Sequence, residues 1–299
     1  MFRNYSILRG LGALFVFILV VFTGVFFYAY ITGGDSRALS IFSGDGVAVL
    51  QIEGAIDDSQ TVLNELKRFK QMPWVKGIVV RIDSPGGAVA PTQEIFEEIL
   101  RSKKEKPFIA SMGAMATSGG YYIAAACDRI VANPGTLTGS IGVIVQLSNV
   151  EDLMKKIGVK AAIVKSGPNK DIGSPFQPLS PEGREILQSV VDSVHTQFVA
   201  AVAKGRGMEE AKVRKLADGR IYSGAQAQEL GLVDDFGTLR DAIEIAAKRG
   251  GLETEPAVYY SRPEQERWWE RMFIGIFGRR LPGRDHTWLR YEWSPSLLQ

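Results

Sequence analysis

Residues 77–87, Gly-Ile-Val-Val-Arg-Ile-Asp-Ser-Pro-Gly-Gly, point to the fold class of this chain. Gly77–Asp83 is a short apolar run, which is typical of a buried strand. Proline presets one backbone angle and glycine permits conformations that other residues resist, so Pro85, Gly86 and Gly87 predict a tight turn. Backbone N–H groups left free in such a turn can bind an oxyanion. Taken alone, the motif is more typical of an ordinary strand-to-helix turn.

Similar alternation continues on both sides of this stretch. Short apolar runs bounded by turn residues alternate with longer segments whose apolar residues recur at helical spacing. Strands are predicted at Val47–Ile52, Gly77–Asp83, Pro107–Met112, Arg129–Ala132 and Ala161–Lys165. Helices are predicted at Pro91–Arg101, Tyr121–Cys127, Val150–Ile157, Pro181–Lys204, Glu209–Ala217, Ala225–Leu230 and Leu239–Arg249. The pattern predicts an α/β fold built from βαβ units.

A second Gly-rich turn, residues 116–122 (ATSGGYY), follows the strand that begins at Pro107 and opens a helix. A serine there lies at a helix N-terminus, where the dipole and free N–H groups stabilise negative charge. The N–H of Gly119 could donate to an oxyanion formed when Ser118 attacks a carbonyl. A simple N-cap role for Ser118 explains this motif alone equally well. The two turns together favour catalysis, because they supply a nucleophile and two oxyanion donors.

A nucleophilic serine needs a base, and the residues alone do not select one. Of the two histidines, His286 lies near the C-terminus and His195 lies on what looks like the polar face of a helix. A Ser-His-Asp triad is therefore poorly supported. A lysine can act as the base if burial favours its neutral form. Lys165 and Lys170 bracket a short turn, and neither stands out by its chemistry alone.

Charge and cysteine content exclude several classes of function. The chain has 35 basic residues, of which two precede Asp35, and all 33 acidic residues lie from Asp35 onward, so that region is formally neutral. This balance argues against a nucleic-acid partner, which favours a basic stripe. The single cysteine, Cys127, permits no intrachain disulfide and no zinc cluster built from thiolates, and it is predicted to be a small core residue.

The N-terminus predicts a membrane anchor. Residues 10–34 contain no charged side chain. The segment is long enough for a helix that crosses a bilayer core of about 30 Å. A cleaved signal peptide is the alternative, but its apolar region is shorter and its cleavage site has small residues. Arg3 and Arg9 precede the segment, so residues 1–9 are expected in the cytoplasm and the rest outside. Residues 35–46 are predicted to be a linker.

The C-terminal segment 262–299 has an unusual composition. It contains four of the five tryptophans and seven arginines against five acidic residues. Such a segment could lie on a membrane surface, pack on a neighbouring subunit, or remain disordered.

Six motifs in a fixed order carry a resemblance to a known family. They are residues 83–87 (DSPGG), 117–122 (TSGGYY), 138–143 (TGSIGV), 165–171 (KSGPNKD), 219–224 (GRIYSG) and 225–234 (AQAQELGLVD). Together they resemble peptidase family S49, the Ser/Lys proteases of the signal peptide peptidase A type, over residues 47–249, and the peptidase domain is expected at residues 47–261. The resemblance implies that Ser118 is the nucleophile, Lys170 its general base, and Ser140 the residue that positions the lysine. It also implies that the backbone N–H groups of Gly87 and Gly119 form the oxyanion hole.

The resemblance also carries wider expectations. It implies the stacked βαβ architecture of the Clp-protease and crotonase superfamily, no metal and no cofactor, and a homo-oligomeric ring of about eight subunits. The catalytic groups could then meet across a subunit interface. The expected function is a membrane-anchored serine endopeptidase on the extracytoplasmic face of the bacterial cytoplasmic membrane. Its substrates would be remnant signal peptides and misfolded membrane proteins. A crotonase-type acyl-CoA enzyme and a non-proteolytic membrane scaffold remain alternatives.

Overall fold

The computed structural model describes residues 17–24, 44–261 and 290–292, in two compact units, Met1–Gly44 and Asp45–Gln299. In the first unit, helix α1 (17–24) carries apolar side chains that are exposed. Within the described ranges, no helix combines the length and apolar character needed to cross a bilayer. Most of the predicted N-terminus, anchor and linker, and most of segment 262–299, lie outside the described residues.

The second unit contains the remaining elements. Its helices are α2 (Gln60–Gln71), α3 (Val89–Ser102), α4 (Gly119–Ala124), α5 (Glu151–Lys156), α6 (Pro181–Arg206), α7 (Glu210–Leu216), α8 (Gly224–Glu229) and α9 (Leu239–Arg249). Its strands are β1 (Gly46–Glu53), β2 (Val75–Ser84), β3 (Gly86–Ala88), β4 (Phe108–Thr117), β5 (Arg129–Ala132), β6 (Leu137–Gly139), β7 (Ile221–Ser223), β8 (Asp235–Phe236), β9 (Ala257–Tyr260) and β10 (Arg290–Glu292). The predicted α/β class is confirmed.

One mixed sheet organises this unit. Its path runs β7-β6-β4-β2-β1-β9, with β5 paired to β4 and β8 paired to β5. The central pairs β1–β2 and β2–β4 are parallel, and β6–β7 is antiparallel. Strands β3 and β10 form a separate antiparallel pair. Because β2 and β4 are parallel neighbours, the turns that follow them meet at the same edge of the sheet.

Helices cover both faces of the sheet. On one face, the larger core cluster includes buried aromatic residues of α2, α3 and α6, namely Phe69, Phe96 and Phe198. On the other face, α9 packs alanines against Val47, Val49, Val79 and Ile109. Helix α4 is entirely buried. Burial of the strands on both faces explains their continuous apolar sequences.

Residues 143–179, here called the arm, differ from the rest of the unit. They join β6 to α6, contain α5, and bond to one another locally, as when Val150 N–H donates to the Pro175 carbonyl at 2.7 Å. The predicted strand at Ala161–Lys165 is wrong, because this apolar run has no neighbouring strand among the described residues and lies in the solvent. Several large apolar side chains of the arm are exposed, namely Ile144, Leu153, Ile157, Val159, Ile163, Val164 and Phe176.

Candidate active site

Ser118 lies in a strained and buried turn between β4 and α4. Its backbone has φ 53° and ψ −114°, and 1% of its surface is exposed. Its N–H donates to the Gly139 carbonyl at 2.8 Å, and its carbonyl accepts the N–H of Tyr122 at 2.8 Å. A positive φ at a residue other than glycine costs free energy and persists only where the surroundings impose it. Ser118 is thus held in a strained conformation at the start of α4.

The turn after β2 lies directly beside Ser118. A Cβ placed on Gly119 would lie 3.2 Å from the backbone nitrogen of Gly87 and 3.2 Å from the Cα of Gly86. The structure therefore brings the two Gly-rich turns together, as the sequence predicted. A side chain at position 119 would also meet the hydroxyl of Thr92 at 2.9 Å, so that a larger residue there would press on both neighbours.

The N–H of Gly87 lies on the edge of this turn that is opposite Ile56. Ile56 bridges to Gly87 through its flanking residues: Ile56 N–H donates to the Gly86 carbonyl at 2.9 Å, and Ala88 N–H donates to the Ile56 carbonyl at 2.8 Å. Because successive peptide groups in a strand point to opposite edges, the N–H and carbonyl of Gly87 face away from Ile56. Both predicted oxyanion donors thus belong to turns that adjoin Ser118.

A C-terminal strand runs along this same edge. Strand β10 pairs antiparallel with β3, so that Tyr291 lies opposite Gly87, Arg290 opposite Ala88 and Glu292 opposite Gly86. This described part of the 262–299 segment was not predicted to be a strand. An extended polypeptide therefore fits antiparallel against the turn that carries Gly87.

Ser140, the predicted lysine-positioning residue, follows the carbonyl that holds Ser118. Its φ is 50°, its residue is 7% exposed, and its N–H donates to the Arg220 carbonyl at 2.8 Å. Ser118 and Ser140 are the residues other than glycine that have a positive φ in the described part of the chain. The two strained serines are joined by the hydrogen bond from Ser118 N–H to Gly139.

Lys170 lies on the exposed arm, and its contacts differ from those of the nearby Lys165. The Lys165 ammonium donates to Asp171 at 2.7 Å and to the Pro168 carbonyl at 2.9 Å. The bond to Asp171 lowers the pKa of that carboxyl group. Lys170 is exposed, and its side chain makes no hydrogen bond or ion pair with any residue in the described ranges. Within those ranges, none joins it to Ser118. Of the two lysines, Lys170 is the one whose amine remains available.

Three other titratable residues described near the site are His195, Tyr122 and Cys127. His195 is half-buried and lines an open cleft of about 360 Å³ together with Ser140 and Asp192, and no hydrogen bond among the described residues joins it to Ser118. Tyr122 packs against Phe96 with ring centroids 4.8 Å apart, and burial raises its pKa to about 12. Cys127 is buried, as predicted for a small core residue.

Two contacts of the site were not singled out from the sequence. The hydroxyl of Thr117 donates to the Pro85 carbonyl at 3.1 Å, and the hydroxyl of Ser84 accepts the N–H of Gly86 at 3.1 Å. Both residues stand within the motifs already quoted. The contact from Thr117 joins residues far apart in sequence, so no local pattern predicts it. The only signal in the sequence is that Thr117 and Ser84 lie next to the two Gly-rich turns.

The family model described as peptidase family S49 matches residues 101–253. The chain belongs to peptidase family S49. A protein of Synechocystis sp. that carries a provisional protease name is 44% identical over 211 residues, 70% of this chain and 76% of the relative. An Enterococcus faecium protein provisionally named as a signal peptide peptidase is 42% identical over 202 residues, 67% of this chain and 59% of the relative. Protease 4 of Salmonella typhi is 35% identical over 248 residues, and the match covers 77% of this chain and 40% of that protein. These matches support a protease function.

Proposed function

We propose that this S49 protein is a membrane-anchored serine endopeptidase in which Ser118 is the nucleophile and Lys170 the general base. The observation that carries the proposal is the strained, buried Ser118 beside two glycine turns, whose Gly87 and Gly119 supply the oxyanion donors. Family membership favours this function over the acyl-CoA enzyme and the inactive scaffold. The Clp-protease and crotonase architecture belongs to the same proposal.

The proposed reaction is acyl transfer through a serine ester. The neutral amine of Lys170 takes the proton of the Ser118 hydroxyl, whose oxygen attacks the peptide carbonyl. The N–H groups of Gly87 and Gly119 donate to the oxyanion of the tetrahedral intermediate. The Lys170 ammonium then gives its proton to the departing amine, and a water molecule activated by Lys170 hydrolyses the ester. Ser140 holds the amine in position.

An oligomer completes this site in the proposal. Lys170 is exposed on an arm that presents at least seven large apolar side chains, and such a surface is typical of an interface. Contact with a second copy would cover Lys170 and favour its neutral form. We therefore expect a homo-oligomer, of about eight subunits by family resemblance, in which the arm carries Lys170 toward the Ser118 of a neighbour.

Peptide substrates would bind as an added strand. The antiparallel pairing of β10 with β3 supports this mode, because an extended chain already occupies the edge from which Gly87 projects. The proposed substrates are remnant signal peptides, and misfolded membrane proteins in addition. They would reach a catalytic domain held by the 10–34 segment on the extracytoplasmic side of the bacterial cytoplasmic membrane.

The proposal is tested by hydrolysis of an internally quenched apolar peptide by the full-length chain in detergent. We compare wild type with Ser118→Ala and Lys170→Ala, and Lys212→Ala serves as the control because it removes an exposed lysine on α7. Hydrolysis by wild type and by the control, with none by the other two, is expected. Full activity of Lys170→Ala would refute the dyad, and a wild type without activity would refute the peptidase function.

A further inference from the structure

The turn that carries Gly87 is held by a buried hydroxyl at its beginning. Ser84 is fully buried at the end of β2, where its hydroxyl donates to the Gly54 carbonyl at 2.6 Å and accepts the N–H of Gly86 at 3.1 Å. One side chain thus ties the turn both to the segment after β1 and to its own backbone. The N–H next along the chain is that of Gly87.

A second buried hydroxyl joins this turn to the strand of the nucleophile. Thr117 is fully buried at the end of β4 and immediately precedes Ser118. Its hydroxyl donates to the Pro85 carbonyl at 3.1 Å. Pro85 lies two residues before Gly87, so this bond spans the gap between the residue that attacks and the N–H that would receive the oxyanion.

With these two bonds, four backbone groups of residues 85–88 have hydrogen-bond partners on the side away from β10. The Gly86 carbonyl and the Ala88 N–H are held by Ile56, as described above. The Pro85 carbonyl is held by Thr117, and the Gly86 N–H by Ser84. The N–H and the carbonyl of Gly87 are left pointing to the edge where β10 lies, which is the proposed substrate edge.

Packing alone does not account for a hydroxyl at these positions. Valine has nearly the shape of threonine and would be buried at Thr117 without the cost of desolvating a hydroxyl. Thr136 offers a comparable buried hydroxyl: it donates to the Gly113 carbonyl of β4 at 2.8 Å and accepts the N–H of Asn133 at 3.2 Å, so neither bond reaches residues 84–87 or Ser118. Thr136 therefore provides a matched control.

The geometry points to Thr117 and Ser84 as positioning residues, whose hydroxyls fix the oxyanion donor Gly87 relative to Ser118. The inference rests on the proposed peptidase function and adds to it the groups that preorganise the oxyanion hole. Preorganised donors stabilise charge that develops in the transition state more than they stabilise the bound substrate. Loss of the Thr117 hydroxyl should therefore lower kcat and leave KM nearly unchanged.

The test uses the full-length chain in detergent and compares Thr117→Val, Thr117→Ser, Ser84→Ala and Thr136→Val with wild type. For each protein, kcat and KM are measured for a quenched peptide, together with the inhibition constant of a peptidyl aldehyde that forms a tetrahedral adduct with serine. Thermal unfolding midpoints are recorded in parallel. Comparison of the aldehyde with the substrate separates transition-state stabilisation from ordinary binding.

In Thr117→Val and Ser84→Ala we expect kcat to fall roughly 10- to 100-fold. The inhibition constant of the aldehyde should rise by a similar factor. Thr117→Ser keeps the hydroxyl and should keep most of the activity. Thr136→Val should lower the unfolding midpoint comparably and leave both kinetic constants unchanged.

Three outcomes contradict the inference, and they can be distinguished. An active wild type whose Thr117→Val and Ser84→Ala variants keep wild-type kcat and aldehyde inhibition would overturn the positioning role alone. The same holds if Thr136→Val loses kcat as strongly, because the effect would then follow stability. A wild type without hydrolysis that depends on Ser118 would overturn the proposed function and this inference together.

Discussion

Replacing Gly87 with alanine tests whether the turn after β2 supplies an oxyanion donor. An ideal Cβ at Gly87 would lie 2.3 Å from the carbonyl oxygen of Ile56 and 2.5 Å from its nitrogen. Ordinary van der Waals separation is about 3.5 Å, so β3 must move away from Ile56 by roughly 1 Å. Both clashing atoms belong to the backbone, and no rotamer change can relieve the contact.

The displacement sets the size of the expected effect. Overpacking of this kind costs about 1–3 kcal/mol of folding free energy. A misplacement of about 1 Å in a catalytic group lowers the rate by about 100-fold. We therefore expect Gly87→Ala to fold with reduced stability and to lose about 100-fold in kcat/KM, a loss larger than the loss of stability would cause.

The assay compares kcat/KM for a quenched peptide with the free energy of unfolding from urea denaturation. Gly135→Ala is the matched control, because a Cβ at Gly135 meets no atom within 4 Å and its φ is not positive. The control should retain wild-type activity. A Gly87→Ala protein with wild-type kcat/KM would refute the assignment of Gly87 to the oxyanion hole.

Three further predictions concern the arm, the core and the C-terminal strand. Val164→Asp, at a fully exposed apolar position, should leave the stability of the single chain within about 0.5 kcal/mol and reduce the oligomer mass measured by light scattering. Asp234→Ala removes the carboxylate that pairs with the buried guanidinium of Arg206 at 2.7 Å and leaves it the neutral Gly231 carbonyl, which should cost about 3–5 kcal/mol in urea denaturation. A chain that ends at Leu289 lacks β10 and should show a lower KM for extended peptides, because β10 lies on the edge where they are proposed to bind.

The sequence predicted the elements whose contacts are regular. The strand at Arg129–Ala132 and the helix at Leu239–Arg249 have the predicted bounds, because burial on both faces and apolar residues at helical spacing leave clear patterns. Helix α2 was missed, since of its twelve residues only Leu66 and Phe69 are buried. The run at Ala161–Lys165 has strand-like composition, but strand formation also needs a neighbour, which composition does not reveal.

The candidate site, too, could be predicted from the sequence only in part. The proximity of Gly87 and Gly119 follows from the topology, because the carboxyl ends of adjacent parallel strands meet at one edge. The bridge through Ile56 could not be predicted, since its segment joins the turn only in the folded chain. The position of Lys170 relative to Ser118 could not be predicted either, because the arm that carries Lys170 is exposed and no hydrogen bond among the described residues joins the two.

The Ser118–Lys170 dyad is tested by mapping the adduct of a fluorophosphonate probe by mass spectrometry. Full-length wild type, Ser118→Ala and Lys170→Ala would be treated in detergent under conditions that preserve the oligomer. We expect one adduct on Ser118 in wild type and no labelling of either variant. Labelling of Lys170→Ala at the wild-type rate, or an adduct on a serine other than Ser118, would contradict the Ser118–Lys170 dyad.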